Sequence, residues 1–308
     1  MNLRSLVIIA LLAAVGASIA WHLARQATPP LAPASTNTPQ RIICAAPSIT
    51  EAVFALGQGG RVAAVTDYCT YPPDELKSKP RIGGLYNPNR ERILKLHPDL
   101  IIYVGDFDAL LALGKEYGIP TLRVEMNTLD QIRYAVRYLG ETLACPQNAA
   151  EVLRRFDAEL EEIRSRVRNR KPRKVYLCTE HRQADLARLG TCSATSFLAE
   201  LIAIAGGENI FADAIGGWPQ ISKEALLKRA PEVIIELHPQ GMGAEPETFA
   251  ELRKDWSALP QIPAVQTGEI HFLTDDYLFI PSVRAPQIAR RLAEAIHPQA
   301  FAADTGQP

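Results

Sequence analysis

The chain has 308 residues, 47% apolar and 22% charged, a globular composition that excludes a disordered or fibrous polypeptide. Its 33 basic and 34 acidic residues leave no overall positive field to direct it to nucleic acid. The length suits two domains of ordinary size better than one.

The N-terminus opens with one basic side chain, Arg4, and residues 6–21 then carry no charge. A basic start, an apolar middle and small residues near the end make a secretory signal, with Ser18, Ile19 and Ala20 as a cleavage site. Residues 5–24 are also about long enough to span a bilayer, so segment 1–24 is either a cleaved signal or an uncleaved anchor. In both cases the body is exported, to the periplasm or another extracytoplasmic space. Residues 25–40, rich in proline and without charge from 28 onward, read as an extended linker.

Residues 41–145 alternate strands and helices. Strands are predicted at 41–46, 61–66, 100–104 and 121–124. Helices are predicted at 91–96, 110–117 and 129–143, with another after Ser48, which together with Glu51 reads as a capping box. Residues 146–172 form a connecting helix: Ala149, Val152, Leu153, Phe156, Leu160, Ile163 and Val167 keep helical spacing, with Glu and Arg on the other face. Residues 173–300 resume the alternation, with strands at 174–178, 233–237 and 270–273 and helices at 194–205, 222–229, 249–255 and 285–296. Residues 301–308 are a tail. The fold class is α/β: two Rossmann-like lobes with mostly parallel sheets, bridged by one long helix.

Residues 89–103 (NRERILKLHPDLIIY) and 222–236 (SKEALLKRAPEVIIE) are one unit written twice at an offset of 133, with six of fifteen positions identical. Each copy reads as a short helix, a proline stop and a buried strand. Two similar lobes enclose a cleft, where small ligands bind. Glu91 and Glu224 come from the repeat. Each sits in the first turn of its helix, where an acid offsets unpaired N–H groups; alternatively, the two lobes present one acid each to a symmetric partner.

In α/β units ligands lie beyond the carboxyl ends of the strands. The loops there carry Tyr68, Tyr71, Leu85, Tyr86, Asn87, Asp106 and Phe107 in the first lobe, and Glu180, His181, Trp218, Gln220, His238, Asp275, Asp276 and Tyr277 in the second. So many aromatics suit a large, flat or conjugated ligand. No dinucleotide fingerprint, Walker A pattern or nucleophile elbow is present. His181, His238 and Asp276 allow a reading from another class, an exported metal-dependent enzyme. His181 or His238 as an axial ligand to cobalt or haem iron inside a larger ligand is the stronger reading of the histidines. The five cysteines show no CxxC spacing; Cys178–Cys192 and Cys44–Cys69 are candidate disulfides in an exported body, and small buried residues are the alternative.

The segments RIICAAPSITE, TDYCTYPP, GGLYNPNRERILKLHPDLII, GGENIFAD, WPQISKEALLKRAPEVII and TDDY resemble the periplasmic substrate-binding proteins of ABC importers for cobalamin, siderophores and haem, most closely the cobalamin-binding members. The likeness covers about residues 41–297. It implies two lobes with little hinge motion, and Glu91 and Glu224 docked on arginines of the membrane subunits. Tyr68, Trp218 and Asp276 match positions that line the corrin pocket. The chain departs at Leu85 and Val104, where those proteins carry further tryptophans, and adds His181 and His238. The expected ligand-binding set is Tyr68, Tyr86, Asn87, Phe107, His181, Trp218, His238, Asp276 and Tyr277. The expected role is capture of a corrinoid, or alternatively haem or a ferric siderophore, for delivery to an ABC importer, with no bond made or broken and no cofactor of its own. An uncleaved N-terminus would make the body a membrane-tethered sensor or partner module.

Overall fold

The computed structural model describes residues 38–84, 87–105, 108–239 and 246–302. The signal or anchor segment lies outside these residues, as does nearly all of the linker. So do Leu85, Tyr86, Asp106 and Phe107.

In the first half, β1 (Ile42–Cys44), β2 (Val62–Val65), β3 (Leu100–Val104) and β4 (Thr121–Val124) form one parallel sheet in the order β2-β1-β3-β4. Around it run α1 (Pro47–Ala55), α2 (Pro73–Leu76), α3 (Arg90–Lys95), α4 (Asp108–Tyr117) and α5 (Leu129–Thr142). The central strands are continuous apolar runs because helices cover both faces of the sheet.

After α6 (Pro146–Val167), the second half repeats the plan. Strands β5 (Arg173–Cys178), β8 (Gly207–Asn209), β10 (Val233–Leu237) and β11 (Ile270–Leu273) form a parallel sheet in the order β11-β10-β5-β8. Counted along each half, both sheets have the order second-first-third-fourth. The helices here are α7 (Phe197–Ile204), α8 (Lys223–Arg229), α9 (Pro246–Trp256), α10 (Pro263–Thr267) and α11 (Ala285–Ile296).

The sequence repeat falls on the third strand of each sheet and the helix before it, and it extends into the backbone. β3 and β10 start and end 133 residues apart, and α3 and α8 start 133 apart. Their caps, Asn89 and Ser222, accept from Arg92 N–H and Ala225 N–H, again 133 apart. Before each proline stop the chain turns through a left-handed residue, His97 (φ 45°) and Ala230 (φ 47°). Asp99 and Glu232 then accept from the backbone N–H of Arg41 and Lys174, fixing the start of each half's first strand. The repeat thus specifies helix start, helix stop and strand register alike.

α6 is 22 residues long, about 33 Å. Pro146 takes its first position, where a missing N–H costs nothing. Its buried stripe, Ala149, Phe156, Leu160, Ile163 and Val167, is part of the spaced series read from sequence. The helix packs on α5 from the first half and on α7 and α11 from the second. One apolar cluster runs through this seam, from Val136 and Leu139 through Phe156 and Leu160 to Leu201, Leu292 and Ile296.

The structure corrects four local expectations. The Ser48–Glu51 capping box does not form: Ala46 is the N-cap, α1 starts at Pro47, and Glu51 is buried against the second half. The candidate disulfides Cys178–Cys192 and Cys44–Cys69 do not form; all five cysteines are buried thiols, the alternative reading. Residues 180–182, read as a loop, are β6 (Glu180–Arg182), which pairs antiparallel with β7 (Asp185–Gly190), itself paired with β9 (Gln220–Ile221). The helix predicted at 194–205 runs over Phe197–Ile204 with Ser196 as its cap, and Gly207 beyond it opens β8, where Val175, Ile202 and Ile296 stand too close for a Cβ. Among the described residues no helix is long and apolar enough to cross a membrane.

Candidate functional site

Parallel strands of the second half aim their carboxyl ends at a cavity of about 470 Å³. Its described wall comes from β5 and its exit (Cys178, Thr179, Glu180), from Gly190 of β7, from Trp218, Pro219 and Gln220, from the end of β10 (Leu237, His238, Pro239) and from Phe279. Gly190 is required there, since a Cβ would stand 2.7 Å from Thr179 Oγ1 and 2.9 Å from the Glu180 backbone N. The Trp218 loop is pinned from behind: Thr191 and Ser193 donate their N–H groups to the carbonyls of Pro219 (3.0 Å) and Gly217 (3.1 Å). This leaves the indole 52% exposed, edge-on to Phe279 with ring centroids 5.9 Å apart. Gln220 Nε2 donates to Glu180 Oε2 at 3.3 Å, a polar patch beside the aromatic pair.

Beneath the cavity lies Glu236, a carboxylate with no exposure in the middle of an otherwise apolar strand. It accepts three hydrogen bonds: from Trp256 Nε1, from His181 Nδ1 at 3.2 Å and from His238 Nε2 at 2.8 Å. Burial pushes its pKa up, but the bonds from the two histidines and the indole outweigh this and hold it at about 2. An ionised carboxylate only accepts, so the hydrogens sit on His181 Nδ1 and His238 Nε2. The opposite nitrogens are left free of that bond. His181 Nε2 is buried without a hydrogen-bond partner, 3.6 Å from Asp255 Oδ2. The His181 ring is wholly buried against Trp256, with centroids 5.2 Å apart, so His181 reaches the cavity by its main chain. The His238 ring keeps 15% exposure on the cavity wall, packed edge-on to Phe249.

The predicted residues of the first half stand on their own loops. Tyr68 is 66% exposed; its ring and the Asn87 side chain both crowd Gly84, where a Cβ would fall 2.7 Å from Asn87 Oδ1. Arg81 holds the Tyr68 loop by donating to the carbonyls of Thr66 (2.9 Å) and Cys69 (2.6 Å). Tyr86 and Phe107 lie outside the described residues.

Asp276 and Tyr277 lie where the halves meet. Thr70 Oγ1 donates to Asp276 at 3.2 Å, Arg284 approaches the same carboxylate at 3.4 Å, and the Arg284 guanidinium lies over the rings of Tyr71 (4.2 Å) and Tyr277 (4.8 Å). Burial raises the Tyr277 phenol to about 12. Asp276 is therefore held by Arg284 and Thr70, while both histidines are tied to Glu236. The triad His181, His238 and Asp276 required by the metal-enzyme reading does not assemble, and among the described residues no three His, Cys, Asp or Glu side chains are grouped to hold a metal ion.

Glu91 and Glu224 are exposed at the N-termini of α3 and α8, toward the carboxyl edges of the two sheets. Glu91 pairs with Lys95 at 2.7 Å. Hydrogen bonds from its own backbone N–H and from the Ser222 hydroxyl hold Glu224 below the usual carboxylate range.

Sequence reading placed Trp218, His181 and His238 on loops of one lobe, and the structure brings them to one cavity. It missed Glu236, Trp256, Phe279 and Arg284 as parts of the site. Glu236 had a signal: a lone acid inside VIIEL must find buried donors. Arg284 had none, because its partner Glu51 is 233 positions away.

The periplasmic binding protein family model matches residues 42–277. The Vitamin B12-binding protein of Pectobacterium carotovorum subsp. carotovorum (strain PC1) is 30% identical over 246 residues, covering 79% of this chain and 85% of the relative. Among solved structures, the periplasmic Vitamin B12 binding protein BtuF of Vibrio cholerae superimposes with a TM-score of 0.69 at 26% identity, over 88% of this chain and 99% of that one. The periplasmic heme-binding protein RhuT from Roseiflexus sp. RS-1 gives 0.71 at 27%, over 85% and 99%. With the family match spanning both sheets, the chain belongs to the periplasmic binding proteins.

Proposed function

We propose that the protein captures a corrinoid at the carboxyl edges of its two sheets and delivers it, chemically unchanged, to the membrane subunits of an ABC importer. The observation that carries this reading is the half-exposed Trp218, set edge-on to Phe279 over a cavity with a polar corner at Glu180 and Gln220. An aromatic face beside a few fixed polar groups suits a conjugated macrocycle fringed with amides. Relatives named for vitamin B12 binding, at about one-third identity over most of the chain, support the same ligand class. Tyr68, Asn87, Asp276 and Tyr277 complete the contact from the other loops, with Tyr86 next to Asn87 in sequence and Phe107 three residues past β3.

Replacing Trp218 by Ala should weaken cobalamin or cobinamide binding at least tenfold while leaving the melting temperature within a degree or two, since the indole is half outside the core. Unchanged affinity would remove Trp218 from the site. For delivery, Glu91 and Glu224 are the docking acids. Exchange of both for Ala should leave ligand affinity intact and abolish stimulation of the importer; surviving transport reduces them to helix-end residues.

His238 favours a second ligand of the same kind. Glu236 fixes its Nε2–H, which leaves Nδ1 as a lone-pair donor for a metal centre, and a carboxylate behind an imidazole raises its basicity. Haem is the test ligand: its absorption bands should shift on binding and revert in His238→Ala.

A further inference from the structure

Among the described residues, two carboxylates are almost wholly buried on strands or helices of the core, Glu236 and Glu51. The first serves the cavity. The second faces across the molecule. Glu51 belongs to α1 in the first half and accepts from Arg284, the residue before α11 in the second half, and from the Ser282 hydroxyl. Both ends of the pair are at least nine-tenths buried. A buried ion pair is a weak source of stability, because desolvating two charges cancels most of their attraction. Arg284 is also incompletely satisfied, its Nε lacking a hydrogen-bond partner. An apolar pair of similar volume would hold the seam as well. The arrangement is better explained by what Arg284 holds in place.

Its guanidinium lies over Tyr71 and Tyr277 and reaches Asp276, which is also held by Thr70. Thr70 and Tyr71 share the loop of Tyr68; Asp276 and Tyr277 sit on the loop after β11, next to Phe279. One cation therefore ties a ligand-facing loop of each half to the other. We propose that Glu51 and Arg284 form a clasp that fixes the separation of the two cleft loops and so sets ligand affinity, with both acting as positioning residues. The affinity part rests on the proposed binding role; the geometric part holds whatever the ligand.

Spin labels at R92C on α3 and K228C on α8, both exposed, report the distance between the halves in the full chain. The five native thiols are buried and lie outside reach of the label. The ligand-free protein should give one narrow distance distribution. Glu51→Gln and Arg284→Met should each broaden it, and the double variant should do so no further than either single one. Cobalamin affinity should fall at least tenfold in each, through faster dissociation. Tyr71→Leu and Ser282→Ala loosen the same contacts without leaving a buried charge unpaired, and they carry the test where a charge variant does not fold. An unchanged distance distribution in folded variants overturns the clasp. A broadened distribution in a protein that binds no corrinoid upholds the clasp and rejects the ligand assignment. Broadened distances with unchanged cobalamin affinity reject its control of binding.

Discussion

Glu236 is the residue where sequence and structure meet most closely. An ionised side chain inside an apolar strand is tolerated only where donors surround it, and here Trp256, His181 and His238 do so. With the carboxyl held at about 2, below its ordinary 4.5, its stabilising contribution is present above pH 4.5 and is lost as the pH falls toward 2. The shift corresponds to about 3 kcal/mol. Urea unfolding from pH 7 down to pH 2.5 should show Glu236→Gln destabilised at neutral pH, with the gap to the native protein closing below pH 4.5. A gap that stays constant across this window contradicts the arrangement. The lone acid in VIIEL was visible in the sequence, whereas its donors come from β6, α9 and the end of β10, and only the fold brings these together. Glu51 shows the opposite case. Its spacing from Ser48 is that of a capping box, but the helix starts two residues earlier, at Pro47 with Ala46 as its cap, and a distant arginine takes the carboxylate.

At the scale of elements, the 133-residue offset was the most legible feature, because caps, proline stops and buried strands are local signals. Asn89 and Ser222 do equivalent work in separate halves. Their replacement by Ala should each cost about 1 kcal/mol, and the double variant should lose the sum, as expected for sites without shared partners. Chemical denaturation checks both figures, and strong non-additivity would show that the helices are coupled. The antiparallel sheet of β6, β7 and β9 was not legible. Its strands are two to six residues long, β7 carries Asp185 and Arg188 among its apolar residues, and β9 pairs with it from 30 residues away. Nothing local distinguishes such strands from loops. That small sheet nevertheless supplies Glu180, Gly190 and Gln220 to the cavity wall.

For the whole molecule, α6 and the seam helices give the two sheets one continuous apolar core. Leu160→Ala at the middle of that seam should cost about 2–5 kcal/mol and should lower both halves together in one unfolding transition; two separated transitions would contradict a shared core. The halves are joined along the seam and through the Glu51–Arg284 pair, and the capture we propose uses a site largely formed beforehand. The ligand we propose for this site is a corrinoid. Equilibrium titration of the purified protein with cobalamin, cobinamide, haem and a ferric siderophore decides this. The expected result is saturable binding of cobalamin or cobinamide at micromolar concentration or below, weakened at least tenfold by Trp218→Ala. Absence of corrinoid binding at tens of micromolar, with haem or the siderophore bound instead, would contradict it.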